Sequence, residues 1–243
     1  MIARWVRSGR RRFHAVSLAM ARRILLRHRA PPANLRLEKI GTAYGGWVVP
    51  TALIGKDWVC YCGGVGEDIS FDLGLIERFG CVVRAFDPTP RAIAFIAASA
   101  AGEPRLDFHP LGLWSEDATL RFFAPRNPAH VSHSIVNLQR TSDFFEAPCR
   151  TVASIMRELG DERIDLLKID IEGAEHEVVR SMLASGVRPT VLCLEIDQPV
   201  RVRTFWGTVR RIRSAGYALV DVDSWNISFL RQDALDRSSP APR

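Results

Sequence analysis

Three charged side chains share one face of an otherwise apolar segment, residues 166–175, which reads LLKIDIEGAE. Lys168, Asp170 and Glu172 occupy every second position, and side chains alternate between the two faces of a β-strand. A carboxylate on such a face can take a proton from an acceptor hydroxyl, and a nearby lysine can stabilise negative charge. Asp170, Glu172 and Lys168 are therefore the catalytic candidates.

A glycine-rich turn supplies a second candidate site. An apolar strand runs into residues 63–68, GGVGED, and glycines between a strand and a helix let the backbone approach a ligand closely. The third glycine of the dinucleotide-binding fingerprint is replaced by Ile69. Glu67 and Asp68 would repel a phosphate and would suit a positively charged group. The cofactor-binding candidates on this turn are Gly63, Gly64, Gly66 and Glu67.

An acid follows at the end of the next apolar strand. Asp87 lies 21 residues after Gly66, where an acid is placed to accept hydrogen bonds from both ribose hydroxyls of a nucleoside. The alternative is that Asp87 caps the following helix. A nucleoside with a positive group and no phosphate describes S-adenosylmethionine, which is the cofactor that this turn and Asp87 predict.

These segments resemble the FkbM-type family of S-adenosylmethionine-dependent methyltransferases. The resemblance rests on LLKIDIEGAEHEVV, GVGED and AFDPTP, and it spans roughly residues 50–232. It implies a Rossmann-like enzyme that O-methylates a hydroxyl of a sugar, a glycan or a natural product. Asp87 matches the family's ribose-binding acid. The residues that match its signature strand are Lys168, Asp170, Glu172, Gly173 and Glu175.

The glycine turn departs from the commoner pattern of this family. Many members carry an acid at the end of the first strand, in D-x-G-A-N-x-G, whereas residues 60–66 read CYCGGVG here. The subgroup with G-V-G-E-D, which this chain resembles, implies a contact between Glu67 and the amino group of the cofactor.

Alternating strand-like and helical segments must position these residues. They predict an α/β fold, a Rossmann-like class I methyltransferase sandwich with a mostly parallel sheet, helices on both faces and an antiparallel closing strand. Ligands of such sheets bind at the carboxyl ends of the strands. The predicted strands are 57–62, 81–86, 106–109, 119–123, 164–171, 190–196, 217–223 and 227–230. The predicted helices are 68–79, 91–101, 152–159, 174–183 and 204–214.

Several polar residues could serve the acceptor. Residues 124–150 have no clear period, and they predict a long loop that acts as an acceptor-binding lid. His176 is a second base candidate, or a solvent-facing helical histidine. Glu195 ends a strand and could line the acceptor side of the cleft, or cap a loop. The polar side chains of the predicted lid are Ser132, His133, Ser134 and Asn137.

Charge divides the chain into a basic leader and a mildly acidic body. Residues 1–37 hold ten arginines and no Asp, Glu or Lys; subtracting this +10 from the net +6 leaves about −4. The predicted domains are a helical basic segment at 1–37, a methyltransferase domain at 38–232 and a flexible tail at 233–243. The leader suits peripheral membrane contact through residues 1–30, a packed helix with a solvated arginine face, or an organellar transit peptide.

The remaining predictions concern partners and compartment. Five cysteines, mostly in apolar runs, indicate reduced thiols in a cytoplasmic protein, and the leader adds a peripheral position at the membrane as a second expectation. The expected partner is a small-molecule or glycan acceptor, and the acidic body argues against nucleic acid. A divalent cation on Asp170 and Glu172 is conceivable, but no metal site is predicted. The alternatives are a non-catalytic methyltransferase-like binding module anchored by the leader, and a nicotinamide-dependent oxidoreductase.

Overall fold

A computed structural model describes residues 23–27, 29, 31, 35–100, 102–126, 133–137, 140–196 and 201–238. The strands are β1 Leu37–Ile40, β2 Trp47–Pro50, β3 Val59–Gly63, β4 Val82–Phe86, β5 Leu106–His109, β6 Gly112–Leu113, β7 Ala118–Phe123, β8 Phe144–Arg150, β9 Leu166–Ile169, β10 Val191–Glu195, β11 Tyr217–Asp223 and β12 Asn226–Arg231. The α-helices with defined bounds are α1 Ser70–Phe79, α2 Pro90–Ser99, α3 Val152–Leu159, α4 Glu175–Ala184, α5 Val202–Ser214 and α6 Gln232–Ser238.

A seven-stranded sheet in the order β11-β12-β10-β9-β3-β4-β5 forms the centre of the fold. Strands β3, β4, β5, β9 and β10 are parallel, and β12 pairs antiparallel with both β10 and β11. β4 and β5 therefore follow β3 on one side of it in the sheet, and β9 and β10 lie on the opposite side of β3. The predicted class I methyltransferase fold is confirmed, and its topological switch point lies between β3 and β9.

Apolar side chains bury both faces of this sheet. In β9, Leu166 and Leu167 are fully buried and belong to different hydrophobic clusters, one on each face. The cluster that contains Leu167 also receives apolar residues of α3, α4 and α5, and the other cluster receives those of α1. All five cysteines are buried and unpaired, as the sequence predicts.

A second, three-stranded sheet takes its central strand, β8, from the segment that the sequence predicts as an irregular lid. β8 pairs antiparallel with β7 over residues 144–149, and parallel with the two-residue strand β6 at Cys149 and Arg150. The prediction of a loop across residues 124–150 is therefore wrong for residues 144–150. Pro148 lacks the N–H of a ladder residue, which argues against a strand. The structure tolerates it because Pro148 has a paired neighbour only on the β7 side.

Two terminal regions pack on the main sheet. Residues 23–27 are helical, Leu25 is buried, and Arg29 forms an ion pair of 2.7 Å with Asp221 of β11. Most of the predicted helical leader lies outside the described residues. Residues 233–238 of the predicted flexible tail instead belong to α6, in which Ala234 is buried. No helix in the described part of the chain is long and apolar enough to span a membrane.

Candidate functional site

A cavity of about 450 Å³ opens at the switch point, at the carboxyl ends of the parallel strands. Its walls come from the turn after β3, the ends of β4, β9 and β10, the tip of the β1–β2 hairpin and the β6–β8 sheet. This volume lies within the range of small-molecule sites. The cavity therefore joins the two sites that the sequence predicts separately.

The glycine turn is shaped by its contact with the segment after β9. Gly64 has a φ of +83°, and a Cβ atom on it would lie 1.7 Å from the carbonyl oxygen of Asp170. Gly66 has a φ of +57° and open space around it. Gly64 and Gly66 line the cavity, whereas Gly63 packs against Leu113 and is not part of the cavity wall. Gly63 therefore supports the turn rather than facing a ligand.

Asp87 lines the cavity and holds the glycine turn with both carboxylate oxygens. Its Oδ2 accepts hydrogen bonds from the backbone N–H groups of Val65 and Gly66, both at 3.0 Å. Its Oδ1 accepts from the backbone N–H and the hydroxyl of Thr89, at 2.8 and 2.6 Å. Thr89, not Asp87, is the N-cap of α2. Ribose binding by Asp87 stays a prediction. The contacts that the structure shows for Asp87 are those that shape the glycine turn.

Glu67 stands at the rim of the cavity in an ion pair that sequence reasoning missed. Arg91, in the first turn of α2, donates to its carboxylate at 2.8 Å from Nη2 and 3.2 Å from Nε. Both side chains are about 40% exposed. A cofactor amino group at Glu67 would therefore share the carboxylate with Arg91.

Lys168 ties the two walls of the cavity together. Its buried Nζ donates to the carbonyl oxygen of Gly64, forms an ion pair of 3.3 Å with Asp170, and lies 5.9 Å from the ring centre of Trp47. Burial acts to lower the pKa of Lys168, but the carboxylates of Asp170 and Asp72 outweigh it and raise the pKa. Lys168 thus stays charged and serves first as a positioning group.

Asp72 is a buried acid beneath this site that the sequence pattern did not reveal. It lies on α1, is 2% exposed, and its Oδ1 has no hydrogen-bond partner. Burial raises its pKa, while the positive charge of Lys168 acts in the opposite direction. Asp72 lies between apolar residues of a helical segment. An acid at a position that the helical period makes apolar is the one sign of it in the sequence.

Asp170 and Glu195 bring two carboxyl groups together on the acceptor side. Burial acts to raise the pKa of Asp170, but the charge of Lys168 and a hydrogen bond from Glu195 lower it. A hydrogen bond between two carboxyl groups requires one proton between them. Asp170 is thus held as the carboxylate, and Glu195 lines the cavity as predicted.

Glu172 reaches the cavity by a route other than the predicted strand alternation. β9 ends at Ile169, and Glu172 has a φ of +58°, in the left-handed region that a side chain rarely adopts. The hydroxyl of Ser134 donates to the Glu172 carbonyl oxygen at 2.5 Å, and the backbone of Ser134 pairs with Phe123. The small sheet therefore fixes Glu172. The prediction of three charges on one strand face is wrong, but Lys168, Asp170 and Glu172 do line one cavity.

Glu175 closes the turn that carries Glu172. Its Oε1 accepts from the backbone N–H groups of Ile171 at 3.1 Å and Gly173 at 2.9 Å. Burial raises its pKa to about 7, although these two hydrogen bonds act to lower it. Glu175 therefore shapes the turn from below, and it is not part of the cavity wall.

Of the remaining acceptor-side candidates, His133 and His176 have different positions. His133 lines the cavity and lies edge-on to the ring of Phe145, with 5.2 Å between ring centres. His176 is outside the cavity wall, with its Nδ1 2.8 Å from the hydroxyl of Thr208 on α5, and burial lowers its pKa. It therefore braces α4 against α5, and the second-base prediction is not supported. Asn137 bridges to Thr141, and Ser132 is outside the described residues.

The tip of the β1–β2 hairpin adds an aromatic side chain that the sequence analysis did not single out. Tyr44 lines the cavity and is 86% exposed. The tip is held in place because the Thr42 hydroxyl donates to Asp68 at 2.6 Å and the Thr42 N–H donates to Ser70 at 2.8 Å.

The cavity wall is strongly acidic. Among the described residues of the wall, one lysine, Lys168, stands against six acids, of which Glu195 shares a proton with Asp170. Such a wall suits a ligand with positive charge and hydroxyl groups, and it disfavours a phosphate. No group of three His, Cys, Asp or Glu residues among the described residues could hold a metal ion. The six acids are Glu67, Asp68, Asp87, Asp170, Glu172 and Glu195.

Comparison with known proteins gives one family and a set of distant structures. Residues 66–219, more than half of the chain, match the sequence model described as the Methyltransferase FkbM domain. No curated protein matches the chain.

Two solved structures illustrate the distant likeness. Aeropyrum pernix fibrillarin with natively bound S-adenosyl-L-methionine is 11% identical over 73% of this chain and 66%, just under two thirds, of its own, with a TM-score of 0.43. Precorrin-6y C5,15-methyltransferase of Geobacter metallireducens is 13% identical over 79% of this chain and 95% of its own, with a TM-score of 0.42. Both TM-scores are below 0.5, so neither likeness decides anything about this chain.

Proposed function

The chain belongs to the methyltransferases with an FkbM domain, and on that premise we propose that it methylates a hydroxyl group of a neutral or positively charged small molecule or glycan. S-adenosylmethionine is the methyl donor that membership of this family implies. The observation that carries the proposal is the meeting of the glycine turn and three acceptor-side acids, Asp170, Glu172 and Glu195, in one cavity.

The residues present fit the methyl donor. Gly64 and Gly66 leave backbone without side chains on the cavity wall, and Gly66 has open space around it. Glu67 and Asp87 offer carboxylates on the same side, which suits positive charge and ribose hydroxyls. Bound there, S-adenosylmethionine supplies an electrophilic methyl group on a positively charged sulfur.

Glu172 is the residue that we assign as the general base. An alcohol acceptor must lose its proton as the new C–O bond forms, and a positioned carboxylate can accept it. Asp170 is less suited because Lys168 and Glu195 lower its pKa and occupy its oxygens. Glu172 lines the cavity from a backbone position that Ser134 fixes.

Lys168 and Asp170 have positioning roles in this proposal. Lys168 connects the Gly64 carbonyl, on the donor side, to the Asp170 carboxylate, on the acceptor side. Since alignment of the two reactants supplies much of the rate in a displacement reaction, a rigid connection between the walls serves the chemistry directly.

The proposal is tested in two steps, donor binding and then transfer. Calorimetric titration of S-adenosylmethionine into the full chain establishes the donor site. Release of S-adenosylhomocysteine is then followed with a panel of neutral sugars, amino sugars, uronic acids and phenols. Glu172→Gln keeps the shape of the side chain, and we expect it to bind the donor normally while losing about 10²- to 10⁴-fold in kcat.

The control is Glu177→Gln, which removes an exposed carboxylate of α4 that pairs with Arg180, and it should change neither quantity. Transfer to a nitrogen atom, or unchanged kcat in Glu172→Gln, would contradict the assignment. Absence of donor binding by folded wild-type protein would contradict the cofactor site itself.

A further inference from the structure

A row of arginines covers the exposed side of α5. Arg203 and Arg210 are seven residues apart, which is about two helical turns, so they lie on the same face. Arg211 and Arg213 flank that face, and Arg201 precedes the helix; all five arginines are exposed. Residues 198–220 contain no Asp or Glu. Phe205, Thr208, Val209 and Ile212 are buried on the opposite face of the helix.

The position of Arg201 and Arg203 opposes the helix dipole. Arg201 is the N-cap residue and Arg203 lies in the first turn, where no acidic residue is present. Positive charge at the N-terminus of a helix is unfavourable, because the unpaired N–H groups there already carry partial positive charge. Arg211 and Arg213, in the last turn, are favourable for the same reason. The arginines at the first turn therefore lower helix stability, which indicates a use for them outside the helix.

The acids in the described part of the chain do not neutralise these arginines. None of the ion pairs formed within the described residues involves the five arginines of residues 201–213. Elsewhere on the surface, arginines such as Arg91, Arg121 and Arg180 pair with a glutamate. The exposed face of α5 thus carries a net positive charge available to a partner.

The described part of the leader lies on the same side of the sheet. Leu25 packs into the hydrophobic cluster that includes Phe205 and Ile212 of α5. Leu26 beside it is 41% exposed, and Arg23 and Arg27 are exposed. Arginines and an exposed leucine from the leader therefore add to the side of the molecule that carries α5.

We propose that this basic surface, formed by Arg203, Arg210 and their neighbours on α5 together with Arg23, Leu26 and Arg27, docks onto an anionic phospholipid membrane. Basic residues near the surface of an anionic leaflet are attracted to it, and exposed apolar side chains enter the interface. Trp206, half-buried on the flank of the exposed face, is a residue type enriched at membrane interfaces.

A membrane fits this surface better than a nucleic acid does. The methyl acceptor must enter a cavity whose wall carries six acids, all but the protonated Glu195 as carboxylates, and these carboxylates would repel a phosphate backbone. A membrane needs only to bind the basic surface, and it leaves the cavity free for its own ligands. The two partners share phosphate chemistry, so the experiment includes both.

The test is co-sedimentation of the full chain with vesicles of phosphatidylcholine, alone or mixed with phosphatidylglycerol. We expect binding only to the anionic vesicles, decreasing as salt is added. The double variant Arg203→Glu with Arg210→Glu should lower vesicle affinity by at least about tenfold, since each basic residue near the surface contributes on this scale.

The matched control carries the same change of charge away from this surface. Lys56→Glu with Arg105→Glu alters two exposed residues beside Gly80, at the end of α1 on the opposite face of the sheet, and it should retain most of the vesicle binding. Unchanged donor binding and circular dichroism would show that both variants are folded. Full vesicle binding by the α5 variant would overturn the proposal. So would an affinity for RNA that exceeds that for anionic vesicles at the same salt and depends on Arg203 and Arg210.

Discussion

The two walls of the cavity are built in different ways. On the donor wall, the glycine turn is held by the four hydrogen bonds that Asp87 accepts, and every participant lies within 25 residues of the others. On the acceptor wall, Glu172 is fixed by Ser134, which is 38 residues away in the sequence. The donor wall is thus a local structure of the sheet, whereas the acceptor wall depends on the small sheet folding against it.

This difference predicts how substitutions will separate. Changes on the donor wall should weaken both folding and donor binding, because the turn is part of the central sheet. Changes on the acceptor wall should leave donor binding intact and affect transfer.

The largest effect is expected for Gly64→Ala. The new Cβ would lie 1.7 Å from the Asp170 carbonyl oxygen, and the φ of +83° is unfavourable for alanine. We expect a loss of about 4 kcal/mol in the free energy of unfolding and no donor binding, measured by urea titration and calorimetry. Gly160→Ala is the matched control, since Gly160 has a similar φ of +71° in open space. A similar loss in both variants would contradict the role of the contact with Asp170.

Asp87→Asn should have the next largest effect. The two carboxylate oxygens of Asp87 accept four hydrogen bonds, whereas an amide has only one oxygen that can accept. We therefore expect the free energy of unfolding to fall by about 3 kcal/mol and S-adenosylmethionine to bind more weakly.

A double cycle then separates the two roles of Asp87. Calorimetry compares S-adenosylhomocysteine with its 2′-deoxy analogue, in wild type and in Asp87→Asn. If Asp87 contacts the ribose, the two losses in affinity will not add; if it acts only through the turn, they will add. Asp57→Asn, at an exposed acid before β3, controls for charge.

Glu175→Gln should raise stability at neutral and alkaline pH. The folded pKa of Glu175 is about 7, against 4.5 for an unperturbed glutamate. The folded protein therefore binds the extra proton between these values, and the stabilisation present below pH 4.5 is lost as the pH rises through 7. Glutamine can still accept the two backbone hydrogen bonds without the charge. The free energy of unfolding in urea should therefore favour Glu175→Gln over the wild type by about 2 kcal/mol more at pH 8 than at pH 5. The same difference between the two proteins at both pH values would contradict this.

Ser134→Ala should have the smallest effect on stability and the clearest separation of the walls. It removes the hydrogen bond that the hydroxyl donates to Glu172 and the one that it accepts from the Val136 N–H, with a net loss of about 1 kcal/mol in the free energy of unfolding. We expect unchanged donor affinity and a lower kcat once an acceptor is found. Ser142→Ala removes an exposed hydroxyl that bonds only its neighbour Asp143, and should have no effect. Loss of donor affinity in Ser134→Ala would mean that the two walls are not separable.

The sequence predicted the parts of the fold that local pattern determines. Apolar runs indicated β3, β4, β9 and β10 to within about two residues, and the acids at their ends followed from the rule that ligands bind there. The pairing of Glu67 with Arg91, the burial of Asp72 beneath Lys168 and the bracing of His176 by Thr208 were missed. These contacts join residues that are far apart in the sequence or on different elements, so no local period marks them.

The sequence also missed strands whose composition is unusual. β8 contains Pro148, and β1 has charged residues at two of its four positions, Glu38 and Lys39. Each of these strands depends on its partner strand: β8 pairs with β7, and β1 pairs with β2. β2 is in turn held by the Ser228 hydroxyl, which donates to the Val48 carbonyl oxygen at 2.7 Å. Propensity alone could not predict elements that depend on such partners.

The contact between Gly64 and Asp170 bears on how the acceptor range of this protein could be altered. Because no side chain fits between them, the turn after β3 and the segment after β9 form one rigid unit. Changes of specificity introduced there would disturb the methyl donor as well. The tip of the β1–β2 hairpin with Tyr44, and the small sheet with His133, reach the same cavity from outside that unit. Exchange of these two segments is therefore the route by which a new acceptor could be accommodated while the donor site is kept.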